Sequence, residues 1–144
     1  MTAYLFDTSV LSATAPGKPP LPPKAAAWLL RQSGNLFVPA FALHELRRGI
    51  AKLDCSGATA KAQTLLAWLQ GIMTDYSAEI LPIDATVALE AGLMEDAATA
   101  GGRHPGLADI LIAATAKANS LTILTVNLKH FEPLEVPCLN PLTL

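Results

Sequence analysis

This sequence predicts a three-layer α/β fold, a central and mostly parallel β-sheet flanked by helices. Two observations carry that prediction. Short apolar runs of strand length alternate with longer segments of helical period, and no hairpin signal joins one run directly to the next. At least two of those runs also stop at polar residues, Asp7 after Tyr4–Phe6 and Thr125 after Leu121–Leu124. In open α/β sheets ligands bind outside the carboxyl ends of the strands, so these tips are where a site is sought.

Composition narrows the class. With 144 residues the chain has the size of one domain and enough material for a real core, so a single domain over residues 1–144 is expected. Hydrophobic residues make up 51% and charged ones 15%, which excludes a disordered chain. A formal charge of -2 gives no global attraction to polyanions, so such a partner must be held by a local basic patch or by metal ions. Cys55 and Cys138 lack CxxC or Cys/His spacing and read as reduced thiols of a cytosolic protein. No secretory leader is visible, and no apolar run approaches the roughly 20 residues that span a bilayer. A soluble, cytoplasmic protein without a membrane partner is the expectation.

Taken in order, Tyr4-Leu5-Phe6 is a buried strand and Asp7-Thr8-Ser9 its polar tip. Asp7 either caps the helix that starts near Val10 or faces a ligand; Leu11 and Ser12 stand where a capping box would need Glu or Gln. Pro16 to Pro23 holds five prolines in eight residues and is a loop, with Lys18 and Lys24 near its ends. Lys24–Gln32 is a helix stopped by Gly34-Asn35, and Leu36–Val38 a second strand. Pro39 suits the first turn of the next helix. From Ala40 to Leu53 the stripe Leu43, Leu46, Ile50, Leu53 has a helical period, with Glu45 on its flank beside Ala42 and Gly49. Glu45 either reaches a cleft or pairs with Arg48 one turn on. The neighbouring His44 is given no role.

Asp54–Gly57 breaks that helix, and Ala60–Met73 forms another, the pair making an α-hairpin of the kind that meets partners. Ile80–Ile83 is a third strand. Asp84 then caps a helix that contains Val87, Leu89, Leu93 and Met94 and ends at Gly101-Gly102. After the loop Arg103–Gly106, Leu107–Ala116 is apolar nearly all round, as a central buried helix should be. Asp109 in its first turn gains from the helix dipole and suits a cap. A charge so near a buried face is costly unless paired or bound to a cation, however, and no Lys or Arg follows on that face for two turns. Leu121–Leu124 is the fourth strand, with Asn127 just past its tip, and Glu135–Leu139 supplies a short edge strand where Pro is tolerated.

In such a fold Asp7 and Asn127 share one sheet edge, the helix start at Asp109 points to it, and Glu45 joins from the helix after the second strand. Three clustered carboxylates repel one another and call for a divalent cation. Ligands that are all oxygen select hard ions, Mg²⁺ or Mn²⁺ rather than Zn²⁺.

Four blocks in order carry a family resemblance: Phe6-Asp7-Thr8-Ser9; Ala42-Leu43-His44-Glu45-Leu46 with Arg47-Arg48-Gly49-Ile50; Ala108-Asp109-Ile110-Leu111-Ile112-Ala113-Ala114-Thr115-Ala116; and Leu124-Thr125-Val126-Asn127-Leu128-Lys129-His130-Phe131. They cover essentially the whole chain, which resembles the PIN-domain family, close to the VapC toxins and FitB-like proteins of bacterial toxin–antitoxin modules. The resemblance implies a PIN-like fold and a metal-dependent ribonuclease, the toxin of a type II module. It implies Asp7, Glu45 and Asp109 as the acidic cluster holding Mg²⁺ (Mn²⁺ a substitute), with Asn127 as a fourth catalytic residue. It further implies an RNA substrate, a VapB-like antitoxin that crosses the cleft, and a homodimer. The fourth block departs from the family: His130 stands where an acid is usual before Phe131, and Val126 where an Arg is usual.

Beside Asn127, Thr8 and Ser9 are expected to fix waters, and Arg47, Arg48, Lys52, Arg103 and Lys129 are candidates for RNA attraction. The departures motivate an alternative, a catalytically degenerate PIN domain that binds RNA or protein. A haloacid-dehalogenase-type phosphotransferase would need a second Asp where the chain has Ser9, and a receiver domain would need an acid pair near the first strand.

Overall fold

The computed structural model describes residues 2–144. In chain order the elements are β1 (Tyr4–Phe6), α1 (Thr8–Ala13), α2 (Pro23–Arg31), β2 (Leu36–Pro39), α3 (Ala40–Cys55), α4 (Thr59–Asp75), β3 (Ile80–Leu81), α5 (Ala85–Ala100), α6 (Leu107–Ala118), β4 (Thr122–Leu124), α7 (Leu128–Phe131) and β5 (Cys138–Leu139). The sheet runs β3-β2-β1-β4-β5 and every pairing is parallel. β1 is its central strand, Leu5 standing opposite Phe37 on one side and Ile123 on the other.

Side chains alternate across a strand, and that period builds the layers. Leu5 and Ile123 point to one face and pack with Met94, Ala98, Ile112, Ala113, Ala116 and Phe131 from α5, α6 and α7. Phe6 and Leu124 point to the other, against Val10, Leu11, Ala42 and Ile72 from α1, α3 and α4. A satellite cluster around Ile50, Ala62 and Leu69 joins α3 to α4 as the expected hairpin. The three-layer α/β architecture is therefore present, with a sheet that is wholly parallel.

Several boundaries move, each for a local reason. α1 starts at Thr8 and not near Val10, because the Asp7 carbonyl already accepts from Val10 and Leu11. Pro39 is the last residue of β2, aligned with Leu81 of β3, and not the first turn of α3. α3 continues through Asp54 to Cys55, since packing on α4 outweighs the poor helix propensity of Asp; the break comes at Gly57, whose φ of +94° few other residues adopt. β3 stops at Leu81, where Pro82 has no N–H to continue the ladder. β5 is confined to Cys138–Leu139, an edge strand as expected. Asp84 does cap α5, its side chain accepting from Val87 N at 2.9 Å.

α5 buries Val87, Ala91, Met94 and Ala98, which leaves Leu89 and Leu93 pointing outward at 74% and 69% exposure. None of the helices among the described residues is long and apolar enough to cross a membrane.

Candidate active site

The crevice lies outside the carboxyl ends of β1 and β4. The chain leaves β1 towards β2 on one side, while β4 continues towards β5 on the other, the kind of switch point at which open α/β sheets leave room for a ligand. The ladder runs one residue past β1: Asp7 N donates to Leu124 O at 2.8 Å, so the backbone of Asp7 is set by β4.

The Asp7 side chain is buried, 6% exposed, and does not cap α1. Its Oδ2 accepts from Ser9 Oγ and from Thr125 Oγ1, both at 2.7 Å. Those hydroxyls in turn accept backbone N–H groups, Val126 N on Ser9 Oγ at 3.2 Å and Asn127 N on Thr125 Oγ1 at 2.9 Å. With each hydroxyl hydrogen committed to Asp7, the 3.4 Å approach of Ser9 Oγ to Thr125 Oγ1 is a contact without a hydrogen of its own. Two short chains of donors thus converge on one carboxylate oxygen, charge-assisted and mutually polarising.

Glu45 is held from α1: Thr8 Oγ1 donates to its Oε1 at 2.7 Å. The alternative pairing with Arg48 does not form among the described residues, where Lys117–Glu90 and His130–Asp109 are the salt bridges present. Asp109 lies in the first turn of α6 and does not cap it; Gly106 occupies the cap position. Burial pushes the Asp109 carboxyl above its ordinary range, His130 pulls it back, and the charges of Asp7 and Glu45 push it up further. That Asp7 and Glu45 both act on Asp109 places the three acids in one electrostatic neighbourhood.

The partner that the face of Asp109 lacks in its own helix comes from α7. His130 Nδ1 stands 3.4 Å from Asp109 Oδ2. The residue at this position therefore meets Asp109 as an imidazole, not as another carboxylate. Asn127 reaches the network through its backbone N–H; its side chain is exposed and makes no hydrogen bond among the described residues. Thr125, which the sequence marks as a polar strand tip without assigning it a role, is fully buried and bonded to Asp7. That this hydroxyl holds Asp7 follows only once β4 is known to neighbour β1.

As the side chains lie, no group of three or more His, Cys, Asp or Glu among the described residues is close enough to enclose a metal ion. That arrangement suits Mg²⁺, which keeps several waters and is commonly bound by one or two carboxylates plus substrate phosphates. Asp7 has Oδ1 uncommitted to the hydroxyls, and Glu45 has Oε2 uncommitted to Thr8. Hard oxygen donors are thus present without a closed cage.

Two clefts flank Glu45. The larger, about 480 Å³, lies between α1, α3 and α4, with Leu46, Ile50, Leu65 and Trp68 on its walls and Lys18 and Lys61 at its rim. The smaller, about 290 Å³, is lined by Phe41, His44, Glu45, Arg48, Gly49, Lys52 and Ala108. Of the cations expected to attract RNA, Arg48 and Lys52 line this second cleft, whereas Arg103 lines a separate cavity with Glu90 and Lys117.

A family model described as PIN domain matches residues 4–132. Toxin FitB of Neisseria gonorrhoeae is 32% identical over 140 residues, covering 95% of this chain and 96% of that protein. Among solved structures, FitAcB from Neisseria gonorrhoeae superposes with a TM-score of 0.85 at 33% identity, covering 98% of this chain and 99% of the other. DNA-bound VapBC from Salmonella typhimurium has a TM-score of 0.83 over the same shares at 22% identity, a likeness of fold alone.

Proposed function

The chain belongs to the PIN domain family, and on that premise we propose that it is a divalent-metal-dependent endoribonuclease acting as the toxin of a type II toxin–antitoxin module. In this reading residues 1–144 work as one PIN-like domain in the cytoplasm. The observations that support it most are the buried, hydroxyl-held carboxylate of Asp7 at the tip of β1 and the charges of Asp7 and Glu45 that both raise Asp109.

Asp7 and Asp109 would hold Mg²⁺, or Mn²⁺ in its place, with Glu45 beside them. The ion, when bound, supplies Lewis-acid polarisation of the phosphodiester and offsets the charge that builds on its oxygens. Ser9 and Thr125 aim the Asp7 carboxylate and hold it in one rotamer. Glu45, steadied by Thr8, orients the attacking water and takes its proton as the water oxygen bonds to phosphorus. The P–O bond to the ribose breaks, its oxygen leaves with the electron pair and takes a proton from solvent, and Glu45 returns its proton to solvent. Asn127 steadies the network by its backbone N–H to Thr125.

Partners follow the same reading. A VapB-like antitoxin would lay a segment in the larger cleft, where apolar walls and two lysines border Glu45. The exposed Leu89 and Leu93 of α5 support self-association as a homodimer.

One observation favours a second reading, a catalytically degenerate PIN domain that binds RNA or protein: His130 stands against Asp109 where the family usually has an acid. The deciding experiment is cleavage of structured RNAs by purified protein in Mg²⁺ or Mn²⁺ against EDTA, with Asp7→Asn alongside. Metal-dependent cutting that falls more than about 100-fold in a folded Asp7→Asn protein is expected. A folded, antitoxin-free protein that neither cuts nor binds Mn²⁺ would establish the degenerate module instead.

A further inference from the structure

We propose that the smaller cleft beside Glu45 is a nucleotide-binding subsite, in which the Phe41–His44 ring pair stacks a base of single-stranded RNA while Arg48 and Lys52 hold its phosphates. The inference rests on the ribonuclease reading above and states how that crevice receives its substrate.

Phe41, Glu45, Gly49 and His44, Arg48, Lys52 form two adjacent rows, each with a spacing of four residues, so they share one flank of α3. Ala108 of α6 forms the opposite wall and is the chain neighbour of Asp109. The cleft thus shares Glu45 with the crevice beyond β1. Its volume of about 290 Å³ is at the small end for ligand clefts, suited to one flat ring system and not to a folded segment.

The Phe41 and His44 rings are stacked, with centroids 5.0 Å apart and planes 17° from parallel. Such a pair offers a flat aromatic surface, and bases stack on Phe and His with little regard to sequence. Phe41 lies one helical turn before Glu45, so a base seated there belongs to a nucleotide next to the one being cut. Arg48 and Lys52 continue the flank one turn apart. Neither makes an ion pair among the described residues, and open space stands where a side chain of Gly49 would project.

The combination selects the ligand. An acidic peptide would satisfy the two cations and leave the ring pair unused, whereas a single-stranded polynucleotide presents phosphates and planar π-faces at once. A chain of net charge -2 has no general attraction for RNA, so a local device of this kind is required.

The test uses full-length Asp7→Asn protein, which holds RNA uncut, and fluorescence anisotropy with two probes over a salt series. One probe is a labelled single-stranded oligoadenylate; the other is the same oligomer with abasic sites. His44→Ala and Phe41→Ala are each expected to weaken the oligoadenylate roughly tenfold, with an unchanged salt slope and little effect on the abasic probe. Arg48→Ala and Lys52→Ala are expected to weaken both probes and to lower the salt slope by about 0.7 each. His44, Arg48 and Lys52 are exposed, so those truncations spare the core; Phe41 is half-buried, and Phe41→Tyr, which keeps the ring, should restore affinity. Full affinity in all four folded variants overturns the subsite, while RNA cutting by wild-type protein leaves the ribonuclease reading standing. Unchanged RNA affinity with lost antitoxin binding makes this a protein-docking face and also overturns the proposal. A wild-type protein that neither binds nor cuts RNA takes down both.

Discussion

Thr125 Oγ1 donates to Asp7 Oδ2 at 2.7 Å across 118 residues of sequence, a buried bond from the tip of one parallel strand to the tip of its neighbour. The same hydroxyl accepts from Asn127 N, so this one atom connects the turn after β4 to the first acid of the crevice. Thr125→Val preserves the shape and removes both bonds. It is expected to destabilise the fold by about 1–3 kcal/mol, the cost of unpaired buried polar groups. It should also lower Mn²⁺ affinity roughly 10- to 100-fold, with Thr125→Ser restoring both. Urea unfolding and isothermal titration measure the two effects; a Thr125→Val protein equal to wild type in both would show the bond to be idle.

Asp109 is expected to make the stability of the fold depend on pH. Burial, with the charges of Asp7 and Glu45, raises its carboxyl above the ordinary 3.8 despite His130. A raised folded value means that the protonated form is favoured. The stability it contributes is fully present below the unfolded value and is lost as pH rises through the folded one. Asp109→Asn should therefore raise the melting temperature in EDTA at neutral pH, by the equivalent of less than about 1 kcal/mol for so partly exposed a group. The advantage should vanish in acid, below the ordinary carboxylate range. Cleavage should be lost throughout, so that stability and activity move in opposite directions. Melting curves across that pH range are the check, and a variant destabilised at neutral pH would contradict the sign.

His130→Asp places a carboxylate where the ring now faces Asp109. Without metal, two acids at that distance repel and the melting temperature should fall. With Mn²⁺ they share a cation, so the metal-induced rise in melting temperature should exceed that of the wild type. Thermal shifts with and without Mn²⁺ read both halves. An equal rise in the two proteins would mean that this position does not reach the ion.

Leu89 and Leu93 lie one turn apart on the outer flank of α5, 74% and 69% exposed. If that flank joins two copies, Leu89→Glu with Leu93→Glu buries carboxylates against each other, and the particle mass measured by light scattering should fall by half. Unchanged mass in a folded double variant would move the interface elsewhere.

The layers of this fold were legible because they depend on two periods that the residues display openly. Leu5 against Tyr4 and Phe6 announces a strand with two buried faces, and Leu43, Leu46, Ile50, Leu53 a helix with one. Asp7, Glu45 and Asp109 were legible as acids in costly places. Ser9 and Thr125 as holders of Asp7 were not foreseen, because a hydrogen bond between strand tips depends on which strands are neighbours and in what register. A period of two leaves that open. The pairing of His130 with Asp109 was hidden for a similar reason: it joins two helices that only the sheet brings together. Pro39 misled because its fixed φ suits the end of a strand as well as the start of a helix.

The pairing of β1 with β4 also sets a schedule. β4, with the hydroxyl of Thr125 behind it, is synthesised more than a hundred residues after β1. A nascent chain that already carries Asp7, Glu45 and Asp109 still lacks the strand that seats the first of them. Asp7 is therefore seated only after β4 has been made and has paired with β1, so the crevice is assembled late in folding however early its first acid is synthesised.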